Sequence, residues 1–246
     1  MSDELATLFS GAIAGGAVAL LWRTVEKYWV DTKITRALSA EAKLEHYAKP
    51  LWLDSGELEL RLRHLAKKLQ ADDRPEAVRL RPEVGQSIDW YTKQGYYATS
   101  TVYIMARVSC WIHLYTRDVV LLPFRKDMET VRFFQTVEAV KAAISARPSI
   151  LWSYYFAGMG EALTDQKDVK PMTFAAFCMR MQEDASFRSF FDQAFWYLID
   201  LSTEDNRHAK IKYLLRIADA LGAAKAALEA SCKIPELRKN PPEEHP

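Results

Sequence analysis

Leu5 to Trp22 (LATLFSGAIAGGAVALLW) carry no charge, and Arg23, Glu26 and Lys27 end the run abruptly. At about 1.5 Å per helical residue the run would be about 27 Å long, close to the roughly 30 Å hydrocarbon core of a bilayer. Three structures could use such a segment. A cleaved signal peptide needs a basic leading region, whereas this chain opens Met1-Ser2-Asp3-Glu4. A buried helix of a large soluble domain is the second. Trp22, Tyr28 and Trp29 favour the third, a single membrane anchor, because amphipathic rings sit well at headgroup level.

Basic residues set the expected orientation. Arg23, Lys27, Lys33 and Arg36 all follow the run and none precedes it, so the N-terminus is expected outside and the rest of the chain in the cytoplasm, at the cytoplasmic membrane. Within the run, Gly11 and Gly15 form a GxxxG face, widened by Ser10, Ala14, Ala12 and Gly16. Small residues let two helix backbones approach closely, which points to homo-oligomerisation through Gly11 and Gly15.

The rest of the chain is read as all-α. The expected layout is a short segment 1–4, the transmembrane helix 5–22, a juxtamembrane helix and connection 23–54, a multi-helix cytosolic bundle 55–234 and a disordered tail 235–246. Pro50 is expected to end the juxtamembrane helix. A bundle helix from Ser55 or Gly56 to Gln70 places Leu58, Leu62, Leu65 and Leu69 on one face. Asp72-Asp73-Arg74-Pro75 breaks it, and a polar loop runs to Gly85. From Gly95 to Thr116 the sole formal charge is Arg107, and Thr99, Ser100, Thr101 and Ser109 dilute the apolar content. An arginine near the centre of a span is costly in lipid, so this segment is expected to be a central buried helix, ended by Pro123. Helical spacing recurs over 125–146, 149–163, 173–182, 186–201 and 204–230, with no alternating strand pattern.

The net charge of +1 creates no general attraction for nucleic acid, so a nucleic-acid partner is not expected. Cys110, Cys178 and Cys232 lack CxxC spacing and read as reduced thiols. The histidines are scattered and show no metal-ligand pattern, so no metal or cofactor is expected. Arg61, Arg63, Lys67, Lys68, Arg74, Arg79 and Arg81 form a basic segment that can rest on anionic lipid headgroups or phosphates, or serve as a solvated surface. The aromatic residues Tyr97, Tyr103, Trp111, Tyr115, Trp152, Tyr154, Tyr155, Phe190, Phe191, Phe195 and Trp196 are expected to be chiefly core, with an apolar-ligand pocket as the alternative use.

Arg107 and His113, six residues apart, resemble the arginine–histidine motif of HEPN ribonucleases. The resemblance implies a metal-independent site in which the imidazole is acid/base and the guanidinium stabilises the phosphorane. Together with a helical bundle and an anchor, it also resembles the membrane-associated HEPN accessory proteins of RNA-targeting CRISPR systems. Val108 stands where that motif usually has a polar residue. Six helical steps separate the pair by about 240°, so one site would need a kink or two chains.

The stretch Tyr96 to Asp118 (YYATSTVYIMARVSCWIHLYTRD) resembles an uncharacterised bacterial group that pairs a short N-terminal membrane helix with a helical domain. That group often has Glu at the position of His113. The resemblance implies fold and topology, and the two resemblances alone suggest bacterial defence or stress response. The leading expectation is a membrane-anchored interaction or scaffold protein that oligomerises and binds membrane lipid and a protein partner. The alternatives are a HEPN-type ribonuclease and a lipid or apolar-ligand sensor. On the structural alternative, Arg107 is buried against a carboxylate or several backbone carbonyls, with Glu161, Asp192 and Asp200 as candidate carboxylates.

Replacing both Gly11 and Gly15 by Ile should weaken self-association, because each added side chain separates the helices at their closest approach. Cross-linking in membranes should show fewer dimers and higher species for the double variant. An unchanged ladder would remove the anchor from the oligomer interface.

Overall fold

The computed structural model describes residues 46–71, 86–120, 128–146, 153–165, 169–202 and 207–232. The anchor segment 5–22 with Gly11 and Gly15, the basic residues Arg74, Arg79 and Arg81, and the tail 235–246 lie outside the described residues. All described residues fall within one compact unit, Leu44–Pro246.

The described residues are dominated by helix. The first helix, α1, occupies residues 46–70. A π-helical turn, Trp90–Gln94, leads into α2, Tyr96–Val120. There follow α3, Met128–Ser145, α4, Ser153–Leu163, α5, Phe174–Glu183, α6, Ala185–Ser202, and α7, Arg207–Cys232.

The helix expected from residue 55 starts earlier. Residues 46–70 are helical without a break, across both Pro50 and Gly56. The N–H that Pro50 lacks would have met the carbonyl of residue 46, at the first described turn, so the ladder loses one bond there. Tyr47, Ala48 and Leu51 on either side of Pro50 are buried, and that packing outweighs the local loss. The apolar stripe continues through Leu58, Leu62, Leu65, Ala66 and Leu69, all buried.

The centre of the unit is α2. Buried side chains leave it in every direction, including Ala98, Val102, Ile104, Ala106, Val108, Cys110, Leu114 and Tyr115. It packs against α4, α5, α6 and the π-helical turn, while α3 packs against α7 and α5 against α6. None of the described helices is long and apolar enough to cross a membrane. The hydroxyls that dilute α2 are largely satisfied along the chain: Thr101 donates to the Tyr97 carbonyl at 2.7 Å and Ser100 to the same carbonyl at 3.2 Å. Ser109 donates across to the Phe156 carbonyl of α4. Such bonds let a Ser/Thr-rich helix occupy a core, although the Thr99 and Thr116 hydroxyl oxygens are buried without a hydrogen-bond partner.

A short hairpin departs from the all-helical expectation. Thr164–Asp165 pairs antiparallel with Lys170–Pro171, in the register Thr164 to Pro171 and Asp165 to Lys170. Two-residue strands are too short to produce an alternating pattern, so nothing in the sequence signals them. Val169 closes the turn with φ at 52°, a left-handed conformation that a β-branched residue rarely adopts. At the next boundary, Thr173 caps α5 by accepting from the Ala176 N–H at 3.3 Å. Asp184 accepts from the Phe187 N–H at 2.9 Å at the start of α6, a bond that holds its carboxyl below the usual range. The buried Arg188 reaches back to the carbonyls of Met181 at 3.3 Å and Gln182 at 3.5 Å, supplying donors to the otherwise open end of α5.

The aromatic residues divide. Tyr103, Trp111, Tyr115, Phe191 and Phe195 are buried, as expected of core. Tyr154 is 91% exposed and Trp196 49%, so neither is core. One side of α4 faces solvent, and Tyr154 falls on that side while Phe156, Met159 and Leu163 face inward. Trp152 lies outside the described residues.

Helices α2 and α4 touch through Gly160. A Cβ there would sit 2.6 Å from the Ser109 carbonyl carbon and 2.8 Å from the Cys110 nitrogen. Both are backbone atoms of a packed helix and cannot step aside. Gly160→Ala is therefore expected to cost about 2 kcal/mol by overpacking. Gly222→Ala is the comparison, because its Cβ would meet only the side-chain carboxylate of Glu59 at 3.2 Å. Thermal unfolding by circular dichroism should show a clear loss at position 160 and little change at 222. The reverse ranking would reject the close α2–α4 contact.

Candidate functional site

Two polar groups on α2 organise separate neighbourhoods. Residues four apart share a helix face, so Tyr103, Arg107 and Trp111 form one ridge, and it faces α1. There the guanidinium of Arg107 grips the carboxylate of Asp54 with two donors: Nε reaches Oδ2 at 3.0 Å and a terminal nitrogen reaches Oδ1. The Trp111 indole N–H donates to the same Oδ2 at 2.8 Å. The Tyr103 ring lies under the guanidinium, 5.5 Å from its carbon to the ring centroid, and Glu57 stands 3.9 Å away. Asp54 is 1% exposed, while the Arg107 side chain keeps 30% of its surface.

Burial pushes the Asp54 carboxyl up to about 6, and the Arg107 charge and the Trp111 donor oppose that shift without cancelling it. Burial likewise raises the Tyr103 phenol to about 12. Arg107 does meet a carboxylate, as its position in an apolar helix required, but the partner is Asp54 rather than Glu161, Asp192 or Asp200. The error came from the assumed helix break, which left residue 54 outside the bundle. A signal was present: Asp54 lies three residues after Leu51 and four before Leu58, in phase with the apolar stripe.

His113 points elsewhere. Its Nδ1 lies 3.9 Å from the Glu161 carboxylate of α4. It lines a recess of about 280 Å³ with Ile112, Thr116 and Arg117 of α2, Lys141 of α3, and Phe156 and Ala157 of α4. Arg107 is not among the residues lining this recess. Within one chain the fold therefore does not bring Arg107 and His113 together: the guanidinium is engaged with α1, and the imidazole faces α3 and α4.

Of the basic segment, Arg61, Arg63, Lys67 and Lys68 lie among the described residues, and two of them diverge. Arg61 stacks over the Tyr97 ring at 4.5 Å on the α2 side of α1. Arg63 is bonded to Glu59 at 3.1 Å and to Asp219 of α7 at 2.9 Å. Among the described residues no group of His, Cys, Asp and Glu could hold a metal ion. Cys110 and Cys178 are buried free thiols. Burial raises them to about 11 and about 12, far from the thiolate needed for reactivity.

The Asp54 site has a pH signature. A carboxyl raised from 3.8 to about 6 contributes stability that is fully present below about 3.8 and lost as pH rises through about 6. Removing Arg107 withdraws the cation that makes the ionised form tolerable. Arg107→Ala is thus expected to cost about 2–3 kcal/mol at pH 8 and about 1 at pH 5, where a protonated Asp54 needs no counter-charge. Asp54→Asn should remove the difference between the two pH values. Urea unfolding at both pH values measures this, and an equal loss for Arg107→Ala at both would contradict an ionised, buried Asp54.

No protein-family model, no curated protein and no solved structure matches this chain.

Proposed function

We propose that this chain is a single-pass, membrane-anchored helical interaction protein. Residues 5–22 hold it in the cytoplasmic membrane with the N-terminus outside, and the helical unit binds a protein partner in the cytoplasm. Copies associate through the face carrying Gly11 and Gly15. The observation that carries the reading is the uncharged run 5–22, followed at once by Arg23, Lys27, Lys33 and Arg36.

Two features of the helical unit support an interaction role over ribonuclease chemistry. The Arg107 guanidinium is committed to Asp54 by two donors, and His113 faces a different set of helices. On the outer side of α1, Leu53 and Leu60 are 51% and 61% exposed and lie two turns apart, where a partner could cover both.

Cell fractionation tests the anchor. The full chain should pellet with membranes, resist extraction by high salt and dissolve in detergent. A chain beginning at Arg23 should remain in the high-speed supernatant with its helical circular dichroism. Full-length protein in the supernatant without detergent would defeat the proposal.

A further inference from the structure

We propose that Leu53 and Leu60, on the outer side of α1, are covered by the same two residues of a second copy, with α1 against α1, parallel and in register. The proposal rests on the anchor reading and extends the association of copies from the membrane into the helical unit. The face is bounded by two neighbours. Asp54 and Glu57 lie toward α2, where Arg107 meets both. Trp52, Glu59 and Arg63 lie toward α7, facing Glu229, Lys225 and Asp219. Between these edges Leu53 and Leu60 are the two large apolar side chains that α1 leaves more than half exposed. Seven residues apart, they fall within about 20° of each other around the helix and about 10 Å along it. That is the spacing of like positions in successive heptads, which a parallel pair of helices brings together.

Charge separates the parallel pair from the antiparallel one. A two-fold axis across antiparallel helices sets the α2 edge of one copy beside the α2 edge of the other, so the two exposed Glu57 side chains come together. A two-fold axis along parallel helices sets the α2 edge of one copy against the α7 edge of the other. The two Glu57 carboxylates then lie on opposite sides of the seam. Each faces the height of Gly56, where Lys225 of α7 lies 3.3 Å from the place a Cβ would take. Lys225 already stands 3.5 Å from Glu59, so the attraction gained at this edge is small. Keeping the like charges apart is what favours the parallel pair.

The length of chain before α1 supplies the rest. Two leucines cover too little surface to hold free molecules together. Copies already joined at residues 5–22 are in a different position. Residues 23–45, even fully extended, span at most about 80 Å. A second α1 is therefore always within reach, at an effective concentration in roughly the millimolar range, and a weak, specific contact is populated.

Disulfide cross-linking in membranes tests the proposal on the full-length chain carrying Cys232→Ser, since Cys110 and Cys178 are buried. Leu53→Cys and Leu60→Cys should each give a linked dimer under mild oxidation, at least about fivefold more than Tyr154→Cys, because a disulfide needs its Cβ atoms about 4 Å apart. Tyr154 is the control because it is more exposed than either leucine and sits on α4, which meets α2 at Ser109, about 200° around that helix from Arg107. Leu53→Asp in the Leu60→Cys chain should lower the yield about fivefold, since like charges then meet at the seam. A full-length chain found in the supernatant overturns the anchor reading and this proposal together. A membrane-bound chain whose yields from Leu53→Cys and Leu60→Cys only equal that from Tyr154→Cys overturns this proposal alone. So does an unchanged yield with Leu53→Asp. A mixture of Leu53→Cys and Leu60→Cys chains that links unlike chains in preference to like ones is the antiparallel result, and it overturns the proposal as well.

Discussion

A largely buried helix can carry a charge only where a counter-charge or solvent receives it, and α2 carries Arg107 with 30% of its side chain exposed and the rest packed against α1. The requirement is met by Asp54, which must itself be withdrawn from water to reach the guanidinium. The pair therefore ties α1 to α2 more specifically than apolar contact can, since leucine stripes can slide and a two-donor bond cannot. Trp111 adds a third donor to the same carboxylate. The arrangement is costly to make and more costly to break from one side, because removing the guanidinium strands the buried Asp54 carboxylate in a low-dielectric site.

The remaining helices are arranged around this join. On one side of α1, α7 is held by the Trp52 indole donating to Glu229 at 2.8 Å and by Arg63 on Asp219. On one side of α2, α4 approaches to backbone contact at Gly160, and the Cys110 sulfur lies 3.2 Å from the Thr164 hydroxyl. Across another face, Tyr103 donates to the Met172 carbonyl at 2.8 Å and its ring meets Phe174 and Phe177. From there Phe177 meets Phe187 and Phe191 edge-to-face, and the three rings fill the space between α5 and α6.

This arrangement bears directly on chemistry. A catalytic arginine must be free to meet negative charge that develops in a transition state. Here the guanidinium already meets a carboxylate, and the residue that joins it in the sequence motif lies about 240° around the helix. Within one chain, the two residues answer separate demands on one helix. Arg107 holds α1, and His113 belongs to a recess lined by α2, α3 and α4.

Helical spacing was legible because a helix repeats its contacts every three or four residues, whatever it packs against. Leu58, Leu62, Leu65 and Leu69 announced α1, and the long weakly polar stretch with one arginine announced a central helix in place of a span. The need for a carboxylate beside Arg107 was also legible, since desolvating a lone charge is prohibitive in any fold. Which carboxylate answers it was decided by tertiary packing. Burial of Tyr47, Ala48 and Leu51 carries α1 through Pro50 and brings Asp54 into the core, whereas local propensity alone would end the helix there. The hairpin at Thr164 and the convergence of His113, Arg117 and Lys141 belong to the same category. Each depends on residues far apart along the chain meeting in space, and periodicity records only which face of an element is apolar, never which neighbour it will meet.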